Sequence, residues 1–178
     1  VTLAQAISRL TDNRQFASLI CAGDYTFQGN PEGFQKAESF LFSLMNTHGI
    51  DKQNVVIVPG NHDMLFSDTL GATISYTDDP GYKHYERLFT QLYKIKQNNY
   101  FAIGRRLLLK NSLPVEIVGL NSVCLQQIAG HFSGMGFVGS EQLDIVERQM
   151  GWDRNIDKSY AFRILVLHHH LYPVEHIQ

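Results

Sequence analysis

Val55-Val56-Ile57-Val58-Pro59-Gly60-Asn61-His62-Asp63 decides how this chain is read. Four β-branched apolar residues in a row fit a strand buried on both faces, and Pro59-Gly60 then stops it sharply. The next three residues are an amide, an imidazole and a carboxylate. A buried strand that presents Asn61, His62 and Asp63 at its C-terminal edge puts polar groups where open α/β sheets carry their ligands. An imidazole gains nothing at a plain turn that Gly or Ser would not give, so Asn61 and His62 read as functional.

Upstream, Phe16-Ala17-Ser18-Leu19-Ile20-Cys21-Ala22 reads as a second strand, stopped by Gly23-Asp24. Between the two strands, Asn30-Pro31 reads as a helix cap and first helical residue. Phe34, Ala37, Leu41 and Leu44 carry an apolar stripe from there until Gly49 ends it. Strand, helix and strand make a β-α-β unit with parallel strands and a right-handed crossover. Asp24 and Asn61 therefore emerge on one edge of the sheet. Before this unit, Leu3, Ile7 and Leu10 predict an amphipathic helix over 2–12, capped by Thr2, with a stripe for a sheet to cover.

Downstream, residues 64–81 are polar and aperiodic, a long loop rimming that edge. Tyr82, Tyr85, Phe89 and Leu92 repeat as one helix face up to Gln97, a spacing that fits core packing better than a base-stacking platform. Residues 100–103 and 106–110, flanking Gly104-Arg105, predict a hairpin, and Val115 to Leu120 a strand closed by Asn121-Ser122. Residues 123–139 hold Gly130, Gly134, Gly136 and Gly139 around Phe132 and Phe137. An ordinary long loop and a flexible segment over a site are equally good readings of them. Ser140 caps a helix carrying Leu143, Val146 and Met150, with Trp152 past its end. Phe162 to Leu167 is then a buried strand running into His168-His169-His170.

At 178 residues the chain has the size of a single domain, 1–178. Its net charge of -2 gives no global attraction to nucleic acid or to an anionic membrane surface. Cys21 and Cys124 both sit in apolar runs and form no C-x-x-C pair, which fits small buried side chains in a reducing cytoplasm. The first residues lack the basic and apolar regions of a signal peptide, and no apolar run approaches a membrane span.

Asp24, the Asn61-His62-Asp63 stretch and the His168 triplet each end a predicted strand, so they can share one cleft. Carboxylate, amide oxygen and imidazole together suit Mn, Fe or Zn. Imidazole disfavours a pure Mg or Ca site, and the lack of ligating Cys disfavours structural zinc. His48 falls at a helix C-terminus, where a cation is favourable, and reads as structural. His84, His131 and His176 have no partner legible in the sequence.

Gly23-Asp24, then Gly60-Asn61-His62-Asp63 after a buried strand, then a strand ending in His-His resemble the calcineurin-like metallophosphoesterases. The nearest flavour is the bacterial cyclic-nucleotide phosphodiesterase type. The resemblance spans residues 16–173, and the helix opening Gly139-Ser140-Glu141-Gln142-Leu143 is similar to that family's middle region. It implies an α/β fold, a layered sandwich of two mixed β-sheets flanked by helices, with the site at the C-terminal ends of the strands. It implies two divalent metal ions (Mn, Fe or Zn), bridged by Asp24, with Asn61 binding one of them through its amide oxygen. His168 would be a further ligand, with His169 as the alternative.

In the implied mechanism the ions activate water to attack phosphorus in line. His62 faces the scissile phosphate, and Asp63 holds its ring through the other nitrogen. The implied function is hydrolysis of a phosphodiester or phosphomonoester, on a small substrate such as a cyclic nucleotide. A nuclease of the double-strand-break-repair type and an inactive phosphate-binding or interaction domain are the alternatives. The family's first Asp-x-His and last Gly-His-x-His motifs have no match here, and Gly130-His131-Phe132-Ser133 does not replace the latter. The chain therefore reads as a domain incomplete at both ends.

Overall fold

The computed structural model describes residues 3–12, 14–64, 80–94, 101–109, 112–124, 136–152 and 160–170. The Thr2 cap, most of the 64–81 loop, Gln97, the stretch 125–135 with His131, and His176 lie outside them.

Strands β1 (Leu19–Cys21) and β2 (Val55–Ile57) pair in parallel, Leu19 with Val55 and Cys21 with Ile57. Val55, Val56, Ile57 and Val58 are all fully buried, as a strand covered on both faces requires. Helix α2 (Pro31–His48) makes the crossover between them. Asn30 caps it, its side-chain oxygen accepting from the Glu32 and Gly33 amides at 2.9 and 3.0 Å, and Gly49 closes it at φ 63°. Among the described residues helix α1 (Leu3–Leu10) packs chiefly on α2 and not on a sheet face, which corrects the expectation for its stripe, and Leu3 and Leu10 are exposed.

The second sheet has the order β3-β4-β5, from β3 (Ile103–Leu107), β4 (Val115–Gly119) and β5 (Phe162–Val166). β3 and β4 are antiparallel, β4 and β5 parallel. Val56 and Val58 of the first sheet meet the second at Gly119, where a Cβ would lie 2.9 Å from each. The chain is thus mixed α/β with two packed sheets. Helix α3 (Pro80–Tyr93) buries Tyr82, Tyr85, Leu88, Phe89 and Leu92 in the main core, and Lys94 follows it in the left-handed region at φ 51°. Helix α4 (Ser140–Met150) lays Val146 and Met150 against Ala102, Val118 and Leu120 in a second cluster. Gly139, not Ser140, occupies its cap position.

Two expectations for this sheet are corrected. Gly104-Arg105 is no hairpin turn but the middle of β3, and Gly104 is small because α4 presses on it, a Cβ there falling 2.7 Å from the Met150 sulfur. β5 is less buried than its apolar run predicts, with Phe162 and Leu165 exposed. Among the described residues it has β4 on one side and no strand on the other.

Candidate functional site

Four strand ends supply the site. Past β1 the chain turns through Gly23 at φ 95° and Asp24 at φ 59°. The ends of β1, β2 and β5 are in contact here: a Cβ on Gly23 would lie 2.6 Å from the Gly60 Cα and 2.8 Å from the His168 Nδ1. Asp24 packs equally close on Gly60, so both positions exclude side chains. Past β2, Asn61–Asp63 form one short helical turn, and its His62 amide donates to Asp24 Oδ1 at 3.2 Å.

Around Asp24 the groups predicted from sequence come together. His168 Nδ1 lies 2.7 Å from the Ala22 carbonyl, which can only accept, so this nitrogen carries the proton. In the neutral ring Nε2 then offers a lone pair, yet it faces Asn61 Oδ1 at 2.8 Å and Asp24 Oδ1 at 3.4 Å. With the Asn61 amide oriented as it stands, three electron-pair donors point at one another. A second proton on the ring or a cation where they meet removes the conflict. Fixing one imidazole nitrogen on a backbone carbonyl while the other faces the site is how a metal-ligating histidine is held. The donor set therefore fits a divalent cation. Among the described residues no three His, Cys, Asp or Glu side chains gather; the third donor here is an amide.

Asp63 is fully buried and lies beneath this cluster. Its Oδ2 accepts from the amides of Gly60 at 2.7 Å and Asp24 at 3.0 Å, and its Oδ1 from that of Thr26 at 3.0 Å. The carboxylate is thus turned onto the backbone of both strand-end loops and not onto the His62 ring, which corrects the expected pairing. Burial pushes the Asp63 carboxyl up to about 7, against the pull of the backbone amides of Gly60 and Thr26. The His62 ring instead stacks on Phe27, with centroids 5.3 Å apart and planes 26° from parallel.

Sequence reasoning gave His169 as the alternative to His168 without finding what holds it. Ser122, at the end of β4, does so: its hydroxyl lies 3.0 Å from His169 Nδ1 and accepts from the His169 amide at 3.2 Å. Burial and the neighbouring His168 hold the His169 pKa below the usual histidine value. The neighbour of Ser122, Asn121, is latched to α4, its amide donating to Gln142 Oε1 at 2.7 Å and its carbonyl accepting from Gln142 Nε2 at 2.8 Å. His170 is exposed; His48 is buried against Phe16, and His84 stacks on Phe34. Phe27 and Ser122 are what sequence reasoning missed. Only the polar pair closing β4 signalled the second of them.

A family model described as calcineurin-like phosphoesterase matches residues 2–176. No curated protein matches the chain, and no solved structure does.

Proposed function

We propose, from the premise that this chain belongs to the calcineurin-like phosphoesterase family, that it hydrolyses small phosphodiesters with divalent metal ions held around Asp24. The family performs metal-dependent phosphoester hydrolysis. The observation that supports its chemistry here is the meeting of His168 Nε2, Asn61 Oδ1 and Asp24 Oδ1 around one point while His168 Nδ1 is tied to a backbone carbonyl. Two ions of the Mn, Fe or Zn kind would supply Lewis-acid charge to the phosphoryl oxygens and acidify water.

The chain's own residues do the rest. Asp24 would bring the negative charge of the donor set and Asn61 and His168 its neutral donors, with His169, steadied by Ser122, as the alternative to His168. Asp63 keeps the two loops in register, so that Asp24 and Asn61 stay within reach of His168. His62 is half-buried against Phe27, and its imidazole would donate a proton to the departing alkoxide. A small diester, a cyclic nucleotide among them, suits a net charge of -2 better than a nucleic-acid strand does. Two free cysteines fit a reducing compartment, and we place the protein in the cytoplasm.

The test is Mn²⁺-dependent hydrolysis of bis-p-nitrophenyl phosphate by the wild type and by His62→Ala. The variant is expected to keep its metal and lose roughly 10²–10⁴-fold in turnover, the usual worth of a general acid. Equal turnover in the two would remove His62 from the reaction.

A further inference from the structure

Phe27 is out of keeping with the fold that carries it. Its side chain is 64% exposed, although an aromatic ring gains by leaving water. The loop beneath it holds two non-glycine residues in the left-handed region, Asp24 at φ 59° and Gln28 at φ 52°, a conformation that side chains disfavour. The loop is nevertheless pinned at several points. Asp63 takes the Thr26 amide, the Thr26 hydroxyl donates to the Asn30 carbonyl at 3.1 Å, and the Gly29 amide donates to the His62 carbonyl at 3.0 Å. A ring left this exposed gains little from burial.

What the ring does touch is His62. Stacking covers one face of the half-buried imidazole with the Phe27 ring and so sets an exposed aromatic side chain directly beside the candidate proton donor. A group bonded to a phosphate that His62 serves would therefore lie close to the uncovered part of the Phe27 ring. A planar group would lie flat on it, whereas an alkyl group would gain little. Resting on the phosphoesterase reading of the site, we propose that Phe27 is a stacking platform that selects phosphoesters carrying a planar aromatic group, nucleobase or aryl, on the His62 side.

The experiment is calorimetric titration of phenylphosphonate and methylphosphonate into the protein in the presence of Mn²⁺, for the wild type, Phe27→Ala, Phe27→Leu and Phe27→Tyr. Neither ligand is hydrolysed, so the readout does not depend on turnover. The wild type is expected to prefer phenylphosphonate by about tenfold, the worth of one aromatic contact. The preference should vanish in the Ala and Leu variants and survive in Tyr. A preference unchanged in Phe27→Ala, or both ligands weakened alike, would overturn the platform while leaving the phosphoester site standing. Binding of neither ligand by the wild type would remove that site, and the platform with it.

Discussion

Asp63 shows how much of a site is carried by a side chain that faces away from it. One buried carboxylate accepts from three backbone amides, of Gly60, Asp24 and Thr26, and so joins the loop after β1 to the turn after β2. The sequence marked Asp63 as part of the site through its neighbours Asn61 and His62. It could not reveal the partners, because Asp24 and Thr26 stand 39 and 37 positions away and are delivered only by the β-α-β crossover. Asp63→Ala leaves three donors without their acceptor, at about 1–3 kcal/mol for each that stays dry. We expect a loss of at least about 3 kcal/mol by urea denaturation; a loss under about 1 kcal/mol would mean the two loops hold without it.

At the scale of elements, chemistry that is local in sequence was legible and chemistry that depends on packing was not. Helix α2 could be read from Asn30-Pro31 and Gly49, since caps act within a few residues. Gly104 was misread as a turn because its smallness answers to Met150, 46 positions on (150 minus 104), which no local pattern contains. The same limit hid the charged row across the second sheet, where Arg106, Glu116 and Arg163 stand side by side on β3, β4 and β5. Glu116 is 1% exposed and receives Arg106 at 2.5 Å and Arg163 at 2.9 Å. Burial alone would raise its pKa, but the hydrogen bonds from Arg163 and Arg106 outweigh it and hold the carboxyl below the usual value.

A depressed carboxyl contributes stability that is fully present above its unfolded pKa, about 4.3, and is lost as pH falls through the folded value. The melting temperature of the wild type should therefore exceed that of Glu116→Gln at pH 7, with the gap closing below about pH 4. A gap constant across that range would show that the ion pairs are not its source.

For the molecule as a whole, the mixed α/β class and the family were both present in the order of buried strands and in the residues that end them. Val55 to Val58 are fully buried, as four β-branched residues in a row predict, and the groups after them share one edge with Asp24 and His168. Which histidine of the triplet meets Asp24 was not settled by sequence, because it depends on how β5 sits in the sheet. The structure places His168 on Asn61 and Asp24, and His169 on Ser122. Among the described residues no helix is long and apolar enough to cross a membrane.

The central claim is that these groups hold metal, and the direct measurement is metal content by elemental analysis of the wild type beside Asp24→Ala. About two ions per chain in the wild type, lost when Asp24 is removed, is the result expected of a two-metal hydrolase. A wild-type protein without metal, or a variant that keeps both ions, would contradict it.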